Sequence, residues 1–184
     1  MLPATASWTV STNPGRMAQA EQEYSQRGFT CLKFHLSPFE NIFDKMDAVQ
    51  DVAPEKFKIH LDCTMGRSND HMSDLLERLA AYRIMGCFKG PLCEDDVLGH
   101  AELRRRCRLP IVYHHSPLGG RQAVLLRAAD AYMLGHARIG TAIHRAGFCD
   151  AANIPSMLQN VGGEITRAMT THMQTASPLR TFTS

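Results

Sequence analysis

Strand-like and helix-like runs alternate along the whole chain, and this alternation constrains the fold more than any other feature. The predicted strands, each followed by a helix-like run or the chain end, are residues 4–10, 30–36, 57–63, 84–88, 109–115, 131–136 and 154–159. Strands that alternate with helices pair in parallel, because each helix returns the chain to the end of the sheet where the preceding strand began. The sequence therefore predicts an α/β fold with a parallel sheet.

The number of these units separates two parallel architectures. Seven β/α units are clear, and residues 179–184 can form an eighth strand. This count predicts a (β/α)8 TIM-type barrel rather than an open doubly wound sheet. The nucleotide-binding alternative also lacks its fingerprint, because no Gly-x-Gly-x-x-Gly follows any predicted strand. We expect one barrel domain over residues 1–184.

Composition excludes several classes of partner. The 184 residues carry 20 basic and 18 acidic side chains, a net charge of +2, which gives no long-range field to attract nucleic acid or a membrane surface. No apolar stretch reaches the ~18 residues of a membrane span, and the first ten residues lack the pattern of a signal peptide. The six cysteines contain no Cys-x-x-Cys pair, which favours reduced thiols. We expect a soluble, cytoplasmic protein.

Polar side chains collect near the carboxyl ends of the predicted strands. Lys33 and His35 lie two positions apart, so both face the same side of their strand. In a barrel, functional groups gather at the carboxyl ends of the strands. We therefore expect one cluster at the barrel mouth, drawn from Lys33, His35, His60, Asp62, Lys89, Tyr113, His115, His136 and Gln159.

Two members of this cluster leave more than one interpretation open. A buried ammonium needs a partner or a lowered pKa, so Lys33 and Asp62 form either part of a catalytic site or an ion pair that only holds the mouth together. His60 is either a functional group or a core imidazole bonded to a backbone carbonyl.

Four segments that span nearly the whole chain resemble the barrel domain of the enolase superfamily, in its mandelate racemase and muconate lactonizing enzyme branch. "GFTCLKFHL" (28–36) resembles that branch's "GFxxxKxKxG" strand, and "KIHLDCTMG" (58–66) resembles "xxVDANxG". Residues 82–115 run parallel to "YGLxWIEEPxxPDDLxGxAELRRxxxIPIAxGE", where Pro91, Asp95, Asp96 and the Arg-rich helix agree together. Residues 130–155 follow "DVVQPDxxRxGGIxEAxxIAxxAxxxxxP".

The resemblance implies an isomerase or lyase that abstracts a proton α to a carboxylate, as a racemase, dehydratase or cycloisomerase does. It implies a small carboxylate or sugar-acid substrate, Mg²⁺ as cofactor and a homo-oligomer. Lys33 matches the first family lysine, the catalytic base. Asp62 stands where the family has its first magnesium ligand.

Several family positions are occupied by other residues. His35 replaces the second lysine, and we expect it to act as the partner acid or base of Lys33. Lys89 and His115 replace the glutamates that complete the metal site, so the Mg²⁺ site lacks the hard oxygen ligands that this ion prefers. We expect Lys89, His115 and Gln159 to hold the substrate carboxylate, with Asp62 as a remaining metal ligand or as the anchor of a lysine.

Three further expectations follow. Family members carry a capping domain that closes the barrel mouth; the sequence shows none, so we expect either a fragment of a longer protein or an open mouth. A barrel that binds a ligand or a partner without catalysis is the main alternative function. An amidohydrolase-like metal-dependent hydrolase, suggested by Lys89, His115 and His136, ranks lower because the first predicted strand has no His-x-His.

Overall fold

Seven parallel strands form one sheet in the computed structural model, which describes residues 5–8, 13–37, 40–64, 68–114, 120–134, 139–159 and 163–176. The strands follow one another across the sheet in chain order, which is the order of a (β/α)8-type barrel, whereas a doubly wound sheet reverses its order. They are β1 (Ala6–Trp8), β2 (Cys31–His35), β3 (Lys58–Asp62), β4 (Met85–Lys89), β5 (Ile111–Tyr113), β6 (Ala131–Met133) and β7 (Ser156–Met157).

A helix follows each strand, which confirms seven of the predicted β/α units. The helices are α1 (Pro14–Gln26), α2 (Ile42–Val52), α3 (Asn69–Leu79), α4 (Val97–Arg106), α5 (Gly120–Leu125), α6 (Ile139–Ala151) and α7 (Glu164–Ala176). The predicted eighth strand, residues 179–184, lies outside the described residues. None of the helices in the described part of the chain has both the length and the apolar character that crossing a membrane requires.

The ends of α1 show how local chemistry sets these bounds. The side chain of Asn13 caps the helix by accepting a hydrogen bond from the backbone N–H of Gly15 at 2.8 Å, and Pro14 occupies the first helical position. Gly28 then adopts a φ of +87°, a left-handed conformation that glycine tolerates at the end of a helix.

Local chemistry sets the bounds of a later helix and strand as well. The fourth helix begins at Val97, because the side chain of Asp96 caps it by accepting from the backbone N–H of Gly99. We expected the seventh strand to cover residues 154–159, but only Ser156–Met157 pair with β6. The carbonyl oxygen of Pro155 still accepts from the N–H of Tyr132, and the residues further out on either side form loops.

The sheet separates two apolar layers of different composition. The outer layer contains strand residues together with helix residues such as Met17, Met46 and Leu76, so it fills the space between sheet and helices. The inner layer, within the described part of the chain, consists of strand residues alone: Cys87, Val112, Ala131 and Met133, with Met157 packed against them. This is the layering expected for a sheet that curls around its own interior.

A contact between distant strands shows that the sheet is curled. Lys89 lies at the end of β4 and Gln159 lies just beyond β7, three strands away. On a flat sheet the backbones of strands three apart lie about 14 Å from each other, and side chains that stand perpendicular to the sheet keep that separation. The Nζ of Lys89 and the Oε1 of Gln159 are 3.1 Å apart, so the strands bring their inner side chains together.

One extra residue in β4 decides which way Lys89 faces. Ile59 pairs with Met85 but the next residue, His60, pairs with Cys87, so Gly86 is the unpaired residue of a β-bulge. Met85 packs in the outer layer, while Cys87 packs in the inner layer although it is only two residues away. A bulge shifts the side-chain alternation by one residue, and it therefore turns Lys89 into the interior.

Substituting Gly86 tests this account of the bulge. A Cβ at this position would lie 3.1 Å from the Cβ of Lys58, 3.2 Å from the carbonyl oxygen of Ile59 and 3.3 Å from the His60 ring. We expect Gly86→Ala to lower the free energy of unfolding by about 1–3 kcal/mol, as overpacking in a core does. Urea unfolding measures this change in the free energy of unfolding.

A glycine in open space provides the control. Nothing lies within 4 Å of a Cβ placed at Gly147 in α6, so Gly147→Ala should raise the free energy of unfolding by about 0.5–1 kcal/mol through helix propensity. If Gly86→Ala had the same free energy of unfolding as the wild type, the close packing around the bulge would be contradicted.

Candidate functional site

Of the nine side chains expected at the barrel mouth, five lie together at the carboxyl end of the sheet, whereas Tyr113 packs in the outer apolar layer. Register accounts for most of this: residue 35 of β2 pairs with residue 62 of β3, which pairs with residue 89 of β4. Three neighbouring strands thus bring their last residues into one row. The five are Lys33, His35, Asp62, Lys89 and Gln159.

The Asp62 carboxylate is the centre of the cluster, and one of its oxygens receives three donors. Its Oδ2 lies 2.7 Å from the Nζ of Lys89, 3.2 Å from the Nε2 of His35 and 3.4 Å from the Nζ of Lys33. Its Oδ1 accepts the backbone N–H of Thr64 at 3.2 Å. Both oxygens of this buried carboxylate are therefore bonded within the protein.

The turn after β3 supports this arrangement. Thr64 has a φ of +59°, a left-handed conformation that is unfavourable for a β-branched residue. In this conformation its N–H donates to Asp62, two residues earlier. Backbone held in such a region is found where the surrounding structure imposes it, often at functional sites.

Burial and neighbouring charges shift the pKa values of Asp62 and Lys33. Burial alone would raise the pKa of Asp62, but the hydrogen bond from His35 and the positive charge of Lys89 outweigh burial and hold this pKa well below its ordinary value. Burial lowers the pKa of Lys33, and Lys89 lowers it further, whereas Asp62 opposes the change. Lys33 is therefore more readily deprotonated than an exposed lysine.

Lys33 and His35 form the part of the cluster suited to proton transfer. The Nζ of Lys33 and the Nε2 of His35 are 3.3 Å apart, which is hydrogen-bonding distance. An amine and an imidazole in contact can exchange a proton when the imidazole nitrogen between them carries none. The cluster thus contains a candidate base and a candidate acceptor for its proton.

The sequence predictions missed a second pair at the mouth. His114 donates from Nδ1 to the Oε1 of Glu94 at 2.7 Å, and the hydroxyl of Tyr113 donates to the backbone carbonyl of Glu94. His114 is two positions beyond the inward-facing Val112, which pairs with Lys89. The side-chain alternation of β5 was the signal for His114. His115 and His136 lie outside the described residues, so the role of His115 in substrate binding stays a prediction.

These residues do not fit a magnesium ion. Mg²⁺ binds through several hard oxygen ligands in octahedral geometry, and the described residues contain no group of three His, Cys, Asp or Glu side chains that could hold a metal. The one carboxylate present, Asp62, is already bonded to Lys89, His35 and Lys33. Cationic side chains next to the carboxylate also repel a divalent cation.

Known proteins resemble this chain in two ways, in their family and in their fold. The family model described as "Enolase C-terminal domain-like" matches residues 16–183. No curated protein matches the chain in sequence. Solved structures match it over most of its length, but it spans only about half the length of each of them.

Three of these structures illustrate the likeness. A mandelate racemase/muconate lactonizing enzyme from Roseiflexus sp. has 22% identity and a TM-score of 0.80, and the match covers 92% of this chain and 51% of that one. The L-Ala-D/L-Glu epimerase from Bacillus subtilis, in a substrate-liganded complex, has 19% identity, a TM-score of 0.82 and coverages of 97% and 53%. The dipeptide epimerase from Cytophaga hutchinsonii, complexed with Mg and D-Ala-L-Val, has 19% identity, a TM-score of 0.72 and coverages of 83% and 44%.

His60, below Asp62 in β3, gives a prediction about stability and pH. Burial lowers its pKa from 6.5 to about 4, so the folded protein keeps it neutral where the unfolded chain binds a proton. The free energy of unfolding should therefore fall by up to about 3 kcal/mol as the pH drops from 6.5 towards 4. Below pH 4 this residue should cause no further decrease.

Urea unfolding across this pH range provides the test. His60→Gln should flatten the pH dependence of the free energy of unfolding, whatever it does to the absolute value. His144→Gln, at an exposed position of α6, is the matched control. An unchanged slope in His60→Gln would show that this imidazole does not titrate as expected.

Proposed function

Because the chain belongs to the enolase superfamily, in the mandelate racemase and muconate lactonizing enzyme branch, we propose that it abstracts a proton from the carbon α to the carboxylate of a small acid. The observation that supports this most directly is the convergence of Lys33, His35 and Lys89 on Asp62 at one end of the sheet. Such a cluster offers a base and a fixed positive charge, the two requirements of this reaction.

The donors of the cluster favour an anionic substrate. Lys33 and Lys89 lie beside the single carboxylate of Asp62, and the ammonium of Lys89 remains a donor to an anion when Lys33 is the free amine that the reaction requires. Lys89 and Gln159 contact each other across the mouth and both have N–H groups to donate. We assign them the binding of the substrate carboxylate, together with His115 as predicted from the sequence.

Lys33 is the proposed base. A proton α to a carboxylate is weakly acidic, so its removal requires stabilisation of the negative charge that develops on the carboxylate oxygens. The ammonium of Lys89 supplies that charge in this proposal, while the amine of Lys33 takes the proton. The Nε2 of His35, 3.3 Å from Lys33, takes over and returns this proton when the imidazole carries its own proton on Nδ1. Return to the opposite face would give racemization; loss of a β-substituent would give a lyase reaction.

A barrel that binds carboxylates without turnover is the second candidate. The observation that favours it is the mutual bonding of Lys89, Asp62 and Gln159, which leaves both Asp62 oxygens bonded within the protein. Such a site would bind an acid but exchange no proton.

Hydrogen exchange separates the two candidates. α-Hydroxy acids and sugar acids are incubated with the protein in D₂O, and incorporation of deuterium at the α carbon is followed by NMR. We expect exchange in the wild type and a decrease of at least about 100-fold in Lys33→Met, the usual scale for loss of a general base. Lys56→Met, at an exposed lysine, is the control.

Two results would contradict the proposed reaction. Exchange that persists in Lys33→Met would remove Lys33 from the role of base. Absence of exchange from a broad panel of acids, with binding retained, would favour the barrel without turnover.

The pH dependence of exchange gives a further prediction. The base must be the free amine, so the rate should rise with pH as Lys33 loses its proton. Because burial and Lys89 lower the pKa of Lys33, the midpoint of this rise should lie below 10.5, the ordinary value for lysine. A rate that falls with rising pH over this range would contradict the assignment.

A further inference from the structure

We propose that the ammonium of Lys89 is the resident cation of this site, and that it is the group that keeps a divalent metal ion away from Asp62. The inference deepens the proposed function and rests on it for the role of the site, since it assigns the stabilising charge to a side chain. It predicts chemistry that needs no added metal. It also predicts that reversing the charge at one position creates a metal site.

The contacts of Lys89 support this assignment. Its Nζ lies 2.7 Å from a carboxylate oxygen of Asp62 and 3.1 Å from the amide oxygen of Gln159. Oxygen atoms of these two kinds are ligands that Mg²⁺ and Mn²⁺ prefer. The ammonium therefore occupies the space between two oxygens that a divalent ion would otherwise share.

Burial makes this occupation permanent in the folded state. Lys89 is 3% exposed and Asp62 is 5% exposed, so neither can be solvated by rotation of its side chain alone. Because a buried charge that loses its partner is costly in free energy, the two side chains stay paired. A divalent ion could reach Asp62 only by displacing Lys89 and would still meet Lys33, 3.4 Å from the same oxygen.

The ammonium also has a donor left for a substrate. A lysine has three N–H groups, and among the described residues Lys89 uses two of them, for Asp62 and Gln159. The third is available to an oxygen of a bound carboxylate. A positive charge held in this way by neighbouring groups is in place before the substrate arrives, as electrostatic catalysis requires.

A change of charge at position 89 is the direct test. Lys89→Glu would leave the oxygens of Asp62 and Gln159 in place and add a carboxylate between them. Binding of Mn²⁺ is measured by electron paramagnetic resonance on folded protein, as judged by circular dichroism. We expect no binding by the wild type up to millimolar Mn²⁺. The dissociation constant of Lys89→Glu should lie at least tenfold below this limit.

Two variants control this experiment. Lys56→Glu changes the net charge equally at an exposed position and should bind no Mn²⁺. Adding Asp62→Asn to Lys89→Glu should abolish the acquired binding. Mn²⁺ binding by the wild type that is lost in Asp62→Asn would overturn the inference, and so would a folded Lys89→Glu variant that binds no Mn²⁺.

A second measurement decides the matter if Lys89→Glu does not fold. Binding of malonate to the wild type is measured by calorimetry with and without EDTA. We expect the same dissociation constant in both, and binding at least tenfold weaker in Lys89→Gln. Malonate binding that EDTA abolishes would overturn the inference.

These results are separable from those on the proposed function. If the metal and malonate results are as expected but no acid exchanges deuterium, the cation assignment stands and the reaction is wrong. If exchange depends on Lys33 but requires Mn²⁺ or Mg²⁺, the reaction stands and the cation assignment is wrong.

Discussion

The contact between Lys89 and Asp62 is the interaction on which the rest of the site depends. The two charges are buried at the end of neighbouring strands, 2.7 Å apart, and each would be costly to leave without the other. Their pairing fixes the carboxylate to which His35 and Lys33 also bond. It also fixes Lys89 within reach of Gln159 on the far side of the curled sheet. Strand register brings these side chains together, and this ion pair holds them in contact.

That ion pair exists because of an irregularity in the backbone. An unbroken β4 would alternate strictly from Met85, which faces the helices, and would place Lys89 in the outer apolar layer. The bulge at Gly86 shifts the alternation so that Cys87 and Lys89 face inward. Only a residue without a side chain fits there without displacing Lys58, Ile59 or His60. A single glycine therefore links the packing of the sheet to the chemistry at its end.

The sequence was sufficient for those parts of the structure that local rules determine. Alternating runs predicted the parallel sheet, Asn13 and Gly28 marked the ends of α1, and the two-residue spacing placed Lys33 and His35 on one side of β2. The contact of Lys89 with Gln159 depends instead on the bulge and on the curvature of the sheet. It does not follow from a strict period of two along a strand, although an isolated glycine within a strand is a known sign of a bulge.

The fold alone does not fix the chemistry of this chain, since function resides in the site and not in the fold. In this account a lysine supplies the positive charge of the site, whereas the similar dipeptide epimerase from Cytophaga hutchinsonii is complexed with Mg. A crystal structure of the wild-type protein grown with Mn²⁺, with anomalous data collected at the manganese edge, tests that claim most directly. The account predicts Lys89 Nζ about 2.7 Å from Asp62 Oδ2 and no anomalous peak beside this carboxylate. A manganese peak at about 2–2.6 Å from an Asp62 oxygen, with Lys89 displaced, would contradict it.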